Sequence, residues 1–219
     1  MSTLPTRMSG FVLTGHGGPV HKAIFSPDGD LVYSAVIKVA ASAVNNTDIN
    51  TRIGWYSRDV TTATDAVTGT VDSAASWSGA ALNLPLIQGA DCCGHIVAVG
   101  AGIDAARIGE RVLVRAMSSR TGTMTIATFG SECNGGFAQF TKAPSHDALA
   151  VQSDLSDIEL AALPCAFSTA EGMLQRAAVQ AENVLITGAS GGVGAAAVQL
   201  AHLRGARVTA VTQGSKAEA

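Results

Sequence analysis

The chain has 219 residues, 47% of them hydrophobic and only 14% charged, which is enough apolar material for one or two buried cores. A net charge of −3 and a pI near 5.9 exclude the basic surface that nucleic acid or an anionic membrane would need, so neither is expected as a partner. No apolar run approaches the ~18 residues of a membrane-spanning helix, and Met1 to Arg7 lacks the apolar core of a secretion signal. The four cysteines, Cys92, Cys93, Cys133 and Cys165, form no C-x-x-C pair, so a cytoplasmic chain with reduced thiols is expected.

Asp28-Gly29 is a turn signal, and after it Leu31, Tyr33, Ala35, Ile37 and Val39 fall on one face of a predicted strand, Leu31 to Val39. Residues 57–84 lose periodicity and are rich in Ser, Thr, Ala, Gly and Asp, with Trp77 as the bulky anchor. This long loop reads either as a solvated insertion or as a lid over an active site. Further strands are predicted at His95–Val99, Gly109–Val114 and Gly136–Thr141, each bounded by glycine. Short strands between glycine turns suggest a small antiparallel barrel or sandwich to about residue 150. Ser156-Asp157-Ile158-Glu159 and Ser168-Thr169-Ala170-Glu171 then match the helix capping box on either side of Pro164. An all-β part followed by alternating β and α elements implies two domains, 1–150 and 151–219.

The most informative segment is Val184-Leu185-Ile186-Thr187-Gly188-Ala189-Ser190-Gly191-Gly192-Val193-Gly194. An apolar run enters a glycine cluster, and an Ala-rich helical pattern follows. Ala189, Gly191 and Gly194 occupy the three positions of a G-x-G-x-x-G fingerprint, with Ala for the first Gly. Such a turn lets the backbone approach a phosphate at the positive end of a helix. The predicted helix runs to about Arg204 with Val193, Ala197, Leu200 and Ala201 on one face, and Gly205 stops it. Ala206 to Val211 reads as a second strand. A doubly wound nucleotide fold needs about six strands, so on the order of 100 residues beyond this chain are expected. An NAD-specific fold places an acid about 20 residues after the glycine turn. Here Thr209 to Lys216 carries none, and Thr212 and Lys216 suit a 2′-phosphate instead, so NADPH is the expected cofactor. Ser190 is expected to touch phosphate, since its surroundings are not the G-x-S-x-G of a hydrolase nucleophile.

Four motifs in order carry a wider resemblance: Val44-Asn45-Asn46-Thr47-Asp48, Gly89-Ala90-Asp91-x-x-Gly94, Gly135-Gly136-Phe137-Ala138, and Gly188 through Gly194. The chain resembles the medium-chain dehydrogenase/reductase superfamily, and within it the zinc-independent quinone oxidoreductases related to zeta-crystallin. That resemblance implies a GroES-like β-barrel domain, then a Rossmann domain, truncated here before the chain returns to the first domain. The zinc-dependent branch has a zinc cysteine where Asn45 stands and Gly-His-Glu where Gly89-Ala90-Asp91 stands. The cysteine-rich zinc lobe has no counterpart between Val114 and Phe129, and His16, His21, His95, His146 and His202 are scattered without ligand spacing. No metal is therefore expected.

By the same resemblance Tyr56 points into the substrate cleft, where a phenol could support a developing oxyanion, and Asn45 lies near the nicotinamide. The residues alone leave open that Tyr56 packs on Trp55 and that Asn45 caps a turn. Asp48 is expected to cap the short helix. Thr169 matches a threonine on the nicotinamide side, or is an ordinary first-turn helical threonine. Cys133 and Cys165 are expected as buried small hydrophobes. The function implied is NADPH-dependent reduction of quinones or α,β-unsaturated carbonyls, with a homodimer possible in a full-length form. The alternatives are an inactive remnant acting as a binding module, and an alcohol dehydrogenase-like enzyme with another carbonyl substrate.

Overall fold

Alternating apolar residues set the first half of the molecule. The computed structural model describes residues 4–16, 21–25, 34–62, 76, 79, 81–119 and 126–216. It divides into a first unit ending at Pro164 and a second beginning at Cys165. Trp77 and most of the predicted long loop lie outside the described residues.

In the first unit, β3 (Ser34–Ala41), β5 (Cys93–Val99), β6 (Arg111–Val114), β9 (Phe140–Pro144) and β10 (Ala148–Ala150) form one antiparallel sheet in the order β10-β6-β5-β3-β9. A second sheet has the order β2-β1-β4, from β1 (Met8–Leu13), β2 (His21–Phe25) and β4 (Leu86–Ile87). A hairpin, β7 (Met117–Ser119) with β8 (Ile126–Thr128), stands apart from both. Ala35, Ile37, Cys92, Ile96, Val112, Val114, Phe129, Ala143 and Ala148 make the main core. Val36 is buried as well, so both faces of β3 are covered.

The expected strand at Gly136–Thr141 begins only at Phe140. Residues 137–139 bond across to β1 instead: Phe11 N–H donates to Phe137 O (2.8 Å) and Gln139 N–H to Ser9 O (2.9 Å). Likewise β6 begins at Arg111, because Gly109 has φ +95° and belongs to a turn. The described part of the Leu31–Val39 strand is Ser34–Ala41.

Helix α2 (Asp157–Ala161) carries the first predicted capping box: Ser156 N–H donates to Glu159 Oε2 (2.8 Å), and Glu159 N–H donates to Ser156 Oγ (3.3 Å). Leu160 and Ala161 bury against Cys93, and Arg111 Nε donates to Asp157 Oδ1 at 2.7 Å. These contacts bind 151–164 to the first unit, so the division falls after Pro164 rather than near residue 150.

The second unit is a parallel βαβ turn preceded by a helix. Strands β11 (Asn183–Thr187) and β12 (Arg207–Val211) pair from Asn183↔Arg207 to Thr187↔Val211, with α4 (Gly192–Leu203) between them in the chain. Val193, Ala196, Ala197 and Leu200 of α4 pack with Phe167 and Ala170 of α3 (Pro164–Arg176) around Ile186. Leu185 and Val211 stay exposed, at 65% and 44%.

The second expected capping box fails here. Ser168 lies inside α3, whose start is set by Pro164, a residue that fits the first turn because its missing N–H has no partner to lose. Glu171 takes Arg204 as its partner instead. The cysteine expectation is also reversed: Cys133 is exposed and Cys165 half-buried, while Cys92 and Cys93 are the buried pair. Among the described residues no helix is long and apolar enough to cross a membrane.

Candidate functional site

The start of α1 (Asn46–Ile53) is held by two buried acids. Asp48, 5% exposed, accepts the Asn45 N–H on Oδ2 (2.8 Å) and the N–H groups of Gly89 and Ala90 on Oδ1 (3.1 and 3.2 Å). Gln88 Nε2 donates to the Asp48 carbonyl at 2.8 Å. The expected cap is therefore present, and the same carboxylate also stitches the helix to residues 88–90. Burial pushes the Asp48 carboxyl up, and the three N–H donors pull it back down. Asp91 is fully buried, and its Oδ2 accepts the Asn45 side-chain amide at 2.6 Å. Its one sequence signal is an acid beside an apolar strand.

Glycine makes this junction possible. A Cβ on Gly135 would lie 2.3 Å from Gly89 O, so only glycine lets the two segments approach closely enough to bond Gly135 N–H to Ile87 O (2.7 Å) and Gly136 N–H to Gly89 O (2.9 Å). A groove of about 490 Å³ runs beside it, lined by Phe11, Val39, Ser42, Phe137 and Gln139 among others, but neither Asn45 nor Tyr56 lines it.

Gly54, with φ +75°, ends α1 in the left-handed conformation and turns the chain back. Tyr56 thereby returns to the start of the helix, where its hydroxyl lies 3.0 Å from Thr47 Oγ1. Its ring meets Trp55 edge-on, with centroids 5.6 Å apart, and Trp55 Nε1 donates to Thr62 O at 3.0 Å. Both sequence possibilities for Tyr56 coexist: it packs on Trp55, and its hydroxyl sits two residues from Asn45. Thr47 was not singled out from the sequence.

Neither buried cysteine is a ready nucleophile. Burial, followed by the neighbouring Cys93 and Asp91 charges, pushes the Cys92 thiol up to about 12, and burial with Asp157 beside it pushes Cys93 up to about 11. Among the described residues no three His, Cys, Asp or Glu side chains are grouped to hold a metal.

In the second unit the glycine turn has the expected form. Gly188 takes φ +65°, and a Cβ on Gly194 would lie 2.1 Å from Gly188 O. Gly191 N–H donates to Gly188 O (3.0 Å), and α4 starts at Gly192, two residues before the expected position, with no side chain capping it. The first N–H groups of α4 thus face outward for an anion. Thr212 Oγ1 donates to Ser190 Oγ at 2.6 Å, and Ala189 N–H to Val211 O at 3.1 Å, which ties the turn to the end of β12. Lys216 is exposed on the single helical turn Gly214–Lys216. Thr169 lies exposed on α3, its hydroxyl donating to Cys165 O (2.7 Å) of its own helix.

An antiparallel β unit followed in the chain by a glycine-turn βαβ unit is the order of a two-domain dehydrogenase. The chain belongs to the family whose description is Alcohol dehydrogenase GroES-like domain, matched over residues 33–153. It is 31% identical over 178 residues to Quinone oxidoreductase of Pongo abelii, covering 80% of this chain and 43% of that one. It is also 31% identical over 144 residues to Acryloyl-coenzyme A reductase of Metallosphaera sedula, covering 60% and 43%. Among solved structures, one from Sinorhizobium meliloti 1021, described provisionally as an alcohol dehydrogenase, superposes with a TM-score of 0.81 at 41% identity, covering 98% of this chain and 60% of that one. The chain thus spans under half the length of these curated relatives.

Proposed function

We propose that the chain carries the substrate-side domain and the phosphate turn of a zinc-independent oxidoreductase that uses NADPH to reduce quinones or α,β-unsaturated carbonyls. The observation that carries this reading is the start of α1, where an asparagine amide clamped by Asp91 and a tyrosine hydroxyl stand together. An amide is a poor zinc ligand, so polarisation of a substrate oxygen falls to hydrogen bonds. The printed names of the relatives add a chemical argument: a quinone and an acryloyl thioester share a C=C conjugated to a C=O.

The glycine turn fits a dinucleotide, because the uncapped N–H groups of α4 and the Cβ-free approach at Gly194 leave room for a pyrophosphate. Gly188, Ala189, Ser190, Gly191, Gly192, Val193 and Gly194 would cradle it, with Thr212 and Lys216 toward the 2′-phosphate and Thr169 on the nicotinamide side. When bound, NADPH supplies the hydride. Tyr56 would donate to the substrate oxygen as charge builds there, and Asn45 would orient the nicotinamide.

The test is NADPH consumption against a panel of quinones, enones and saturated aldehydes, before and after chelator. Quinones and enones should be reduced, chelator should leave the rate unchanged, and Tyr56→Phe should lower turnover about a hundredfold without weakening NADPH binding. Activity confined to saturated aldehydes would instead favour an alcohol dehydrogenase-like enzyme, the reading suggested by the Sinorhizobium relative.

A further inference from the structure

Building on that reading of Tyr56, we infer that Thr47 is the positioning residue of the Tyr56 hydroxyl. Thr47 donates its own proton to Tyr56 Oη and so leaves the phenol proton free for the substrate oxygen. The two oxygens are 3.0 Å apart, and each hydroxyl has one proton to give and lone pairs to receive another. Two arrangements follow. If Tyr56 donates to Thr47, its single proton is spent, and the phenol can only accept. Such a group cannot support a growing negative charge. If Thr47 donates, the phenol proton is free, and the bond it receives makes it a stronger donor in turn.

The surroundings fix both partners. Thr47 sits in the first turn of α1, directly between Asn45 and Asp48, whose carboxylate bonds lock that turn to residues 89 and 90. A β-branched side chain on a locked turn has little rotamer freedom. On the other side, the Tyr56 ring is braced edge-on by Trp55, which is itself tied through Nε1 to Thr62 O. The ring therefore has one packed side, and its hydroxyl has one fixed partner. Both Thr47 and Tyr56 are half-buried, so the pair is neither sealed in the core nor free in solvent. Nine residues separate them in sequence, and only the left-handed turn at Gly54 brings them together.

The experiment is a double-mutant cycle on the full chain, with NADPH and para-benzoquinone as probes. Thr47→Val should lower kcat about tenfold, with KM for the quinone and Kd for NADPH within about twofold of the parent. Thr47→Ser, which keeps the hydroxyl, should restore the parent rate. In a Tyr56→Phe background, Thr47→Val should change kcat by no more than about twofold, because its route to the substrate is already gone. An equal loss in both backgrounds, or no loss in either, overturns the inference. A Tyr56→Phe variant with full turnover overturns the reading of Tyr56 itself, a separate failure.

A second measurement does not depend on turnover. The tyrosine doublet of the Raman spectrum reports whether a phenol donates or accepts, and the chain has only two tyrosines, Tyr33 and Tyr56. Subtracting the Tyr56→Phe spectrum isolates Tyr56. Thr47→Val should shift that isolated doublet away from the accepting form, and an unchanged doublet overturns the inference.

Discussion

The start of α1 and the glycine turn before α4 are both helix N-termini with a chemical purpose, yet they are built in opposite ways. At α1 buried side chains do the organising: Asp48 and Asp91 hold Asn45 by its backbone N–H and its amide, and glycines only clear the way. At α4 the backbone does it: no side chain caps the helix, and Ser190 and Lys216 lie exposed. A site that must hold a specific hydrogen-bond geometry spends buried charge on it. One that must admit a diphosphate leaves its N–H groups open.

This contrast can be broken by substitution. The largest effect is expected from Gly194→Val. Its Cβ would lie 2.1 Å from a backbone carbonyl that cannot move without unmaking the turn, so a loss of about 3 kcal/mol or more is expected. Thermal unfolding with and without NADPH should show lost stability and lost cofactor stabilisation together. A variant that still gains stability from NADPH would show that the turn tolerates a side chain.

Asp48→Ala should cost about 3 kcal/mol, since it strands three N–H groups, two of them in buried surroundings. Denaturant titration measures it. A loss confined to the first unit sharpens the contrast, because no comparable side chain exists at α4.

Arg111→Met tests the packing of α2 through pH. Arg111 holds the Asp157 carboxyl below the usual carboxylate range. A folded value below the unfolded one stabilises the fold above the unfolded value, and the benefit disappears as pH falls through the folded value. The melting temperatures of parent and variant should differ near neutrality and converge in acid. A gap that persists in acid would assign the effect to lost packing of the Arg111 stem.

The smallest effect is Lys216→Glu. An exposed lysine is worth at most about fivefold in affinity, so the preference for NADPH over NADH should erode by that factor without affecting stability. Equal affinity for both cofactors in the parent protein would remove the assignment altogether.

The same contrast explains what the sequence reveals. The α4 turn is local: a strand, glycines at fixed spacing and a helix follow one another, and backbone geometry demands glycine at Gly194 whatever lies elsewhere. The barrel strands are legible for a similar reason, since alternation at Ala35 and Ile37 or a buried Ile96 is written into short stretches. The α1 site is assembled from segments about forty residues apart, and nothing in either stretch announces that Asp91 meets Asn45 or that Gln88 meets Asp48. Tyr56 and Asn45 stood out by family resemblance, and Thr47 only by its contact. The misplaced capping box at Ser168 has a local cause: the same S-x-x-E spacing also fits a helix interior. Cys133 was misplaced because a small apolar residue fits a loop as readily as a core.

The stitch at Asp48 also has a kinetic meaning. Helix α1 has eight residues, shorter than an isolated helix sustains in water. Its stabilising bonds reach residues 88 to 90, so they form only after the chain between has closed. The helix should therefore consolidate late, once β3 and β5 have paired. Substitutions at Asp48 should then speed unfolding while leaving the refolding rate nearly unchanged, whereas Ile37→Val or Ile96→Val in the pairing strands should slow refolding. Stopped-flow chevrons would separate the two, and an Asp48 variant that refolds slowly would place α1 in the folding nucleus instead.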